Sequence, residues 1–274
     1  MALDPRVLAA PTVLAPPAGA RVERDLVYRT DGDRALKLDL YRPSSSRGAS
    51  PVVFLVSGEG PQDIIATAKD WGVFRSYGEH LAARGIVGVP FNHRSANRLA
   101  PTEVAADVQA AIDFVRGRGA ELRIDVERVG VWVFSAGGPF GLAPLLQRRP
   151  QWLRCAAGFY TVWDIAPLRA SLPWATDELV RKWSCVTALD ADNPDLPPLV
   201  VARAGRDHAA FLEGTDTFVR RAQERGINLM VLDHPTGQHG FDTLDDDERS
   251  REVISETLEF FVRHLDPSKG LTEP

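Results

Sequence analysis

Cysteine is scarce in this chain, and the scarcity is informative. Only Cys155 and Cys185 occur in 274 residues. Two thiols make no disulfide framework, and no CxxC or Cys/His zinc spacing is present. Long apolar runs are missing too, and none approaches the roughly 20 residues of a membrane-spanning helix. The opening stretch, residues 1–20, is broken by Pro5, Pro11, Pro16 and Pro17. It has no basic segment leading into a clean apolar one, so it does not read as a signal peptide. An excess of positive charge is also absent. The net charge of -5 gives no electrostatic footprint for nucleic acid or an anionic membrane. There is no internal repeat and no low-complexity tract. What is there, 44% hydrophobic and 25% charged residues, suits a globular protein that buries a core without staples. A cytoplasmic setting is the expectation.

The pattern along the chain is strand alternating with helix. Residues 1–20 read as an extended arm. Residues 21–29 and 35–42 flank Asp31-Gly32-Asp33 and predict a β-hairpin. The run PVVFLVS, 51–57, predicts a strand buried on both faces. Further strands are expected at 85–91, 128–134, 154–161, 199–204 and 227–232. Helices are expected at 71–83, 102–116, 136–147, 211–225 and 246–265, with Gly85 and Gly226 closing two of them. Such alternation predicts a mostly parallel central sheet with helices on both faces. A single α/β domain, residues 21–274, follows. Its exception is 163–198, which breaks the alternation, holds Pro167, Pro173, Pro194, Pro197 and Pro198, and reads as a small cap insertion.

Three loops at strand ends carry candidate chemistry. In Val131-Trp132-Val133-Phe134-Ser135-Ala136-Gly137-Gly138 a buried strand runs into a serine, and small residues lead into a helix. That is the context of a nucleophile elbow, with the Ala136 N–H suited to bind an oxyanion. A serine capping a helix at a tight crossover would give the same letters. Asp207 follows the strand LVVARA, where a turn aspartate is the plainer alternative. His239 lies between Gly237 and Gly240 after the last strand and can act as a general base there. His234, at the strand end, is the runner-up, His208 adjoins the acid, and His80 and His264 are expected to face solvent on helices. The chain order Ser135, Asp207, His239 is the order of an α/β-hydrolase triad, each member just past a strand. Ser57-Gly58-Glu59-Gly60-Pro61 forms a fourth strand-end loop.

On these residues the chain resembles the α/β-hydrolase superfamily, in particular serine carboxylesterases of the dienelactone-hydrolase-like branch. The resemblance runs from about residue 21 to 265 and rests on LVSGEGP, FNHR at 91–94, VWVFSAGG, RAGRD, GQHGFD and DDDERSRE. It implies an α/β-hydrolase fold and ester hydrolysis through an acyl-Ser135 intermediate. Ser135 is then the nucleophile, His239 the base and Asp207 the acid. The backbone N–H groups of Glu59 and Ala136 are the oxyanion donors, and Gly58 makes room in the pocket. Trp163, Trp174 and Trp183 are candidate pocket lining, unless they form the insertion's own core. No metal or organic cofactor is implied. The implied partner is a small-molecule ester, and a homodimer stays open. Two positions depart from the pattern: Ser57 stands where many relatives have histidine, and Val133 replaces the elbow's first glycine. Val133 calls for looser packing around the turn. A peptidase, lactonase or acyltransferase on the same residues, or a non-catalytic binding module, are the alternatives.

Overall fold

The computed structural model describes residues 5–45, 48–96, 99–192 and 195–265. The first four residues of the arm, residues 193–194 of the insertion (Pro194 among them) and the stretch 266–274 lie outside the described residues. The chain runs α1 (Pro5–Ala9), β1 (Arg21–Asp31), β2 (Arg34–Arg42), β3 (Ser50–Val56), α2 (Gln62–Ile65), α3 (Gly72–Ala83), β4 (Val87–Pro90), α4 (Thr102–Gly117) and β5 (Ile124–Phe134). It continues through α5 (Ala143–Arg148), β6 (Leu153–Phe159), α6 (Asp177–Trp183), β7 (Leu199–Ala204), α7 (Ala209–Glu224), β8 (Leu229–His234), α8 (Phe241–Leu244) and α9 (Glu248–Leu265).

The eight strands form one sheet in the order β1-β2-β4-β3-β5-β6-β7-β8. The β1–β2 hairpin is antiparallel and joins β4 antiparallel; every pair from β4 to β8 is parallel. The expected hairpin and mostly parallel sheet are both present. β3 is buried along its whole length because helices cover both faces. One face buries Val52, Phe54, Val131 and Val133 against α4 and the turn after Ser135. The other buries Trp132, Phe134 and Phe159 with Tyr77 of α3 and Phe261 of α9.

Two stretches of the chain depart from expectation. Residues 1–20 are not wholly extended: Pro5–Ala9 is helical and packs on α3. The arm is also tied down further along. The Thr12 N–H donates to Ser76 Oγ at 3.3 Å, and His80 Nε2 meets the Leu14 carbonyl at 3.0 Å. His80 is thus buried beneath the arm rather than facing solvent. The second correction is the helix expected over 136–147. It begins as a wide π turn, Gly138–Leu142, and becomes α-helical only in α5. Pro139 and Pro144 supply no N–H, so a regular i to i-4 ladder cannot run through.

Candidate active site

Ser135 sits at the carboxyl end of β5 with φ of +54°, a left-handed backbone that a non-glycine residue adopts only when its surroundings hold it. The holding bonds are present. Its N–H donates to the Phe159 carbonyl at 3.1 Å, while its own carbonyl accepts from Val162 N at 3.0 Å and Thr161 Oγ1 at 2.6 Å. Val133 does not loosen this turn. It is fully buried against Gly137 and Gly141, where a Cβ would come within 3.3 Å and 3.2 Å of it. Glycines on the helical side make the room that the missing elbow glycine would have made on the strand.

The loops after β7 and β8 are zipped together. Gly205 N donates to His234 O at 2.9 Å and Arg206 N to Gly237 O at 2.9 Å. A Cβ on Gly205 would stand 2.3 Å from the Pro235 carbonyl, so this approach requires glycine. The zipped loops bring Asp207 Oδ2 to 2.9 Å from His239 Nδ1, and His239 Nε2 to 2.9 Å from Ser135 Oγ. An ionised carboxylate can only accept, so the proton sits on Nδ1 and Nε2 offers its lone pair to the serine hydroxyl. Asp207 is almost wholly buried, and its second oxygen accepts the His208 N–H at 2.7 Å.

The other histidines are occupied elsewhere. His208 caps α7 by accepting from Ala210 N. His234 is buried, with Nε2 2.9 Å from Ser250 Oγ. His93, which the sequence reading did not single out, is fully buried 2.8 Å from Ser57 Oγ. Burial lowers its pKa and keeps the ring neutral, although its hydrogen bond to the Arg94 carbonyl opposes this. Nδ1 donates to that carbonyl at 2.7 Å, so Nε2 accepts the Ser57 hydroxyl. Arg94 grips Asp107 of α4 through two bonds of 2.8 Å and holds the strand-end loop.

A cavity of about 300 Å³ opens beside Ser135. Gly58, Glu59 and His239 line it together with Leu8, Trp71, Phe74, Phe134, Tyr160, Asp242 and Leu244. Trp163, Trp174 and Trp183 do not. Trp163 is buried and stacks on Phe218 at 4.3 Å, and Trp183 packs with Val162 and Ile165, flanked by Trp174. Trp183 and Trp174 belong to the insertion's own small core, whereas Trp163 joins the main core against α7, because the insertion packs on α5 and α7. The aromatic walls come instead from Trp71 and Phe74 of α3 and its approach and from Phe134 and Tyr160 at the ends of β5 and β6, apolar positions that sequence alone reads as core.

The Glu59 carboxylate points away from Ser135. One oxygen accepts from Gly60 N at 3.1 Å and from the Ser95 hydroxyl, the other from Ala96 N at 2.9 Å. Neither the Glu59 nor the Ala136 N–H has an acceptor among the described residues.

A strand-end serine on a left-handed elbow, a loop histidine and an aspartate meet on this sheet, and the fold is that of the α/β hydrolases. The BD-FAE family model matches residues 38–149, a stretch that includes Ser135 and ends before Asp207 and His239. The chain is 26% identical over 258 residues to the probable carboxylic ester hydrolase LipM of Mycobacterium tuberculosis, covering 82% of this chain and 58% of that one. It is 31% identical over 134 residues to the probable isoprenylcysteine alpha-carbonyl methylesterase ICMEL1 of Oryza sativa subsp. japonica, covering 49% of this chain and 30% of that one. The chain therefore spans less than two thirds of these curated relatives. Among solved structures, Thermogutta terrifontis esterase 2 phosphoramylated by tabun superposes with a TM-score of 0.71 at 22% identity, over 91% of this chain and 97% of that one. Esterase B from Lactobacillus rhamnosis gives 0.69 at 17% identity, over 93% and 90%. These last two likenesses bear on the fold alone.

Proposed function

We propose that the chain is a serine carboxylic ester hydrolase that works through an acyl-Ser135 intermediate. The observation that supports this best is the unbroken hydrogen-bonded chain Ser135–His239–Asp207, with both links at 2.9 Å. His239 takes the serine proton as Oγ attacks the ester carbonyl, then returns it to the leaving alcohol. Asp207 holds the Nδ1–H tautomer and stabilises the imidazolium. Water then repeats the cycle in reverse roles to release the acid. The N–H groups of Glu59 and Ala136 stabilise the oxyanion. The largely apolar cavity suits an ester with a small apolar group. We read residues 21–274 as one catalytic unit, with the arm contributing Leu8 to the cavity wall. The relatives' names favour esters over peptides or lactones. The two departures from the family pattern, answered by glycine at 137 and 141 and by His93, give no support to a binding module. The two buried free cysteines are in keeping with a cytoplasmic setting, and no helix among the described residues is long and apolar enough to cross a membrane.

Paraoxon followed by peptide mass spectrometry tests the nucleophile. One diethyl phosphoryl adduct is expected on Ser135, with loss of p-nitrophenyl ester hydrolysis. Undiminished hydrolysis with Ser135 unmodified would overturn the reading.

The oxyanion role of Glu59 makes a separate prediction. Glu59→Gln keeps the N–H and should retain most of kcat, because the carboxylate faces Gly60, Ser95 and Ala96 rather than the cavity's reacting end. Glu59→Pro removes the N–H and should lose about a hundredfold in kcat, the usual loss for one oxyanion donor. Steady-state kinetics on variants with unchanged thermal midpoints decides. A folded but inactive Glu59→Gln would show that the carboxylate itself takes part.

A further inference from the structure

The cavity holds a second buried carboxylate that the Ser135–His239–Asp207 chain does not use. Asp242 lies three residues after His239, in α8, and is wholly buried. Its Oδ2 accepts from the Tyr77 hydroxyl at 2.6 Å and its Oδ1 from the Tyr160 hydroxyl at 2.9 Å. Tyr77 belongs to α3, and Tyr160 directly follows β6, so three distant parts of the chain converge on one carboxyl group.

Tyr160 carries backbone strain of its own. Its φ is +38°, unusual for a bulky residue and sustained only where the surroundings over-determine it. Its ring centroid lies 4.7 Å from the His239 imidazole, and it stands edge-on to Phe241 at 5.6 Å. Both Tyr160 and Asp242 line the cavity. Desolvation pushes the Asp242 carboxyl up to about 6, against the hydrogen bonds from Tyr77 and Tyr160 and the attraction of His239. Burial also drives both phenols well above their ordinary range, so they remain donors. The titratable groups facing Asp242 are therefore Tyr77 from α3, Tyr160 after β6 and His239 from the preceding loop. The arm also reaches it through the backbone, Val13 N donating to Asp242 O at 2.8 Å.

An acid that costs stability when ionised, held beside an imidazole in a cavity, is an arrangement typical of functional sites. We propose that Tyr160 and Asp242 are positioning residues for His239. The tyrosine ring sets the plane of the imidazole. The buried carboxylate, held by two phenols, favours the imidazolium that forms when Ser135 gives up its proton. Asp207 acts on His239 through a hydrogen bond; Asp242 acts through space. This inference rests on His239 being the base.

The test is an NMR titration of the His239 imidazole in the full chain, read beside ester hydrolysis. In Asp242→Asn the midpoint should fall, because a neighbouring negative charge is lost. Its kcat should fall about tenfold with KM little changed. Tyr160→Phe keeps the ring but removes one donor to Asp242 and should lose about threefold in kcat, whereas Tyr160→Leu, which removes the ring as well, should lose about tenfold. Thermal midpoints separate a structural role. The folded-state value of Asp242 lies above its unfolded one, so its contribution to stability is fully present at low pH and is lost as pH rises through about 6. Asp242→Asn sets an NH2 against one of the two phenol donors and so loses a hydrogen bond, but its thermal midpoint should no longer fall as pH rises through about 6. An unchanged His239 midpoint in folded Asp242→Asn, or equal kcat in Tyr160→Leu and the parent, would overturn the proposal. A lowered midpoint would support it even in a chain inactive on esters, which separates its failure from failure of the esterase reading.

Discussion

His239→Ala is expected to lose a thousandfold or more in kcat on a p-nitrophenyl ester, the scale on which deletion of a triad base acts. Geometry, more than residue type, is the reason. Three histidines lie within 32 residues of one another, and only His239 reaches Ser135 Oγ, at 2.9 Å. His208→Ala removes a helix cap on an exposed side chain, which costs about 1 kcal/mol of stability and leaves kcat within a few-fold. His234→Ala empties a buried site and leaves Ser250 Oγ without that partner. Its cost of about 1–3 kcal/mol should appear as a lower thermal midpoint, with little change in kcat per folded molecule. A mild effect at His239 beside a large kcat loss at His208 or His234 would move the base to that residue.

The second large effect is expected at Gly58. A Cβ there would stand 2.7 Å from Ser135 Cβ, 3.2 Å from Ser135 Oγ and 3.2 Å from the Phe134 carbonyl. None of these belongs to the free end of a flexible side chain. Ser135 is pinned by its bonds to Phe159, Val162 and Thr161, and the Gly58 loop follows fully buried β3. Gly58→Ala must therefore part the two loops that meet at Ser135. A misplacement of about 1 Å at a reacting group costs on the order of a hundredfold in rate, and overpacking adds about 1–3 kcal/mol of destabilisation. Both should be visible, as lower kcat/KM and as a lower thermal midpoint. Parent-like kinetics and melting in Gly58→Ala would mean that the loop gives way without cost, and that Gly58 has no part in shaping the site.

Much of the site was legible before any coordinates. A strand that ends in serine, small residues after it, and Asp207 and His239 past later strands needed only local patterns. The cavity was less legible. Trp163, Trp174 and Trp183 suggested lining by their chemistry, but the side on which the insertion packs decided their place, and that side is the α5 and α7 flank. The true walls, Trp71, Phe74 and Phe134, look like core residues in a one-dimensional pattern because they sit at the edge of a core.

The sequence by itself determined the alternation of strand and helix, the hairpin, and the chain order of serine, acid and histidine. Periodicity and turn chemistry are properties of neighbouring residues, so a linear reading reaches them. Only the tertiary structure decided which histidine meets Ser135. It alone paired Ser57 with His93 across 36 positions and set Gly137 and Gly141 against Val133. It also laid the arm's Leu8 against the cavity and gathered Tyr77 and Tyr160 on Asp242. Each of these depends on strand order in the sheet and on which loops that order brings to the carboxyl ends of the strands. The contacts join residues far apart in the chain, and local preference does not encode them.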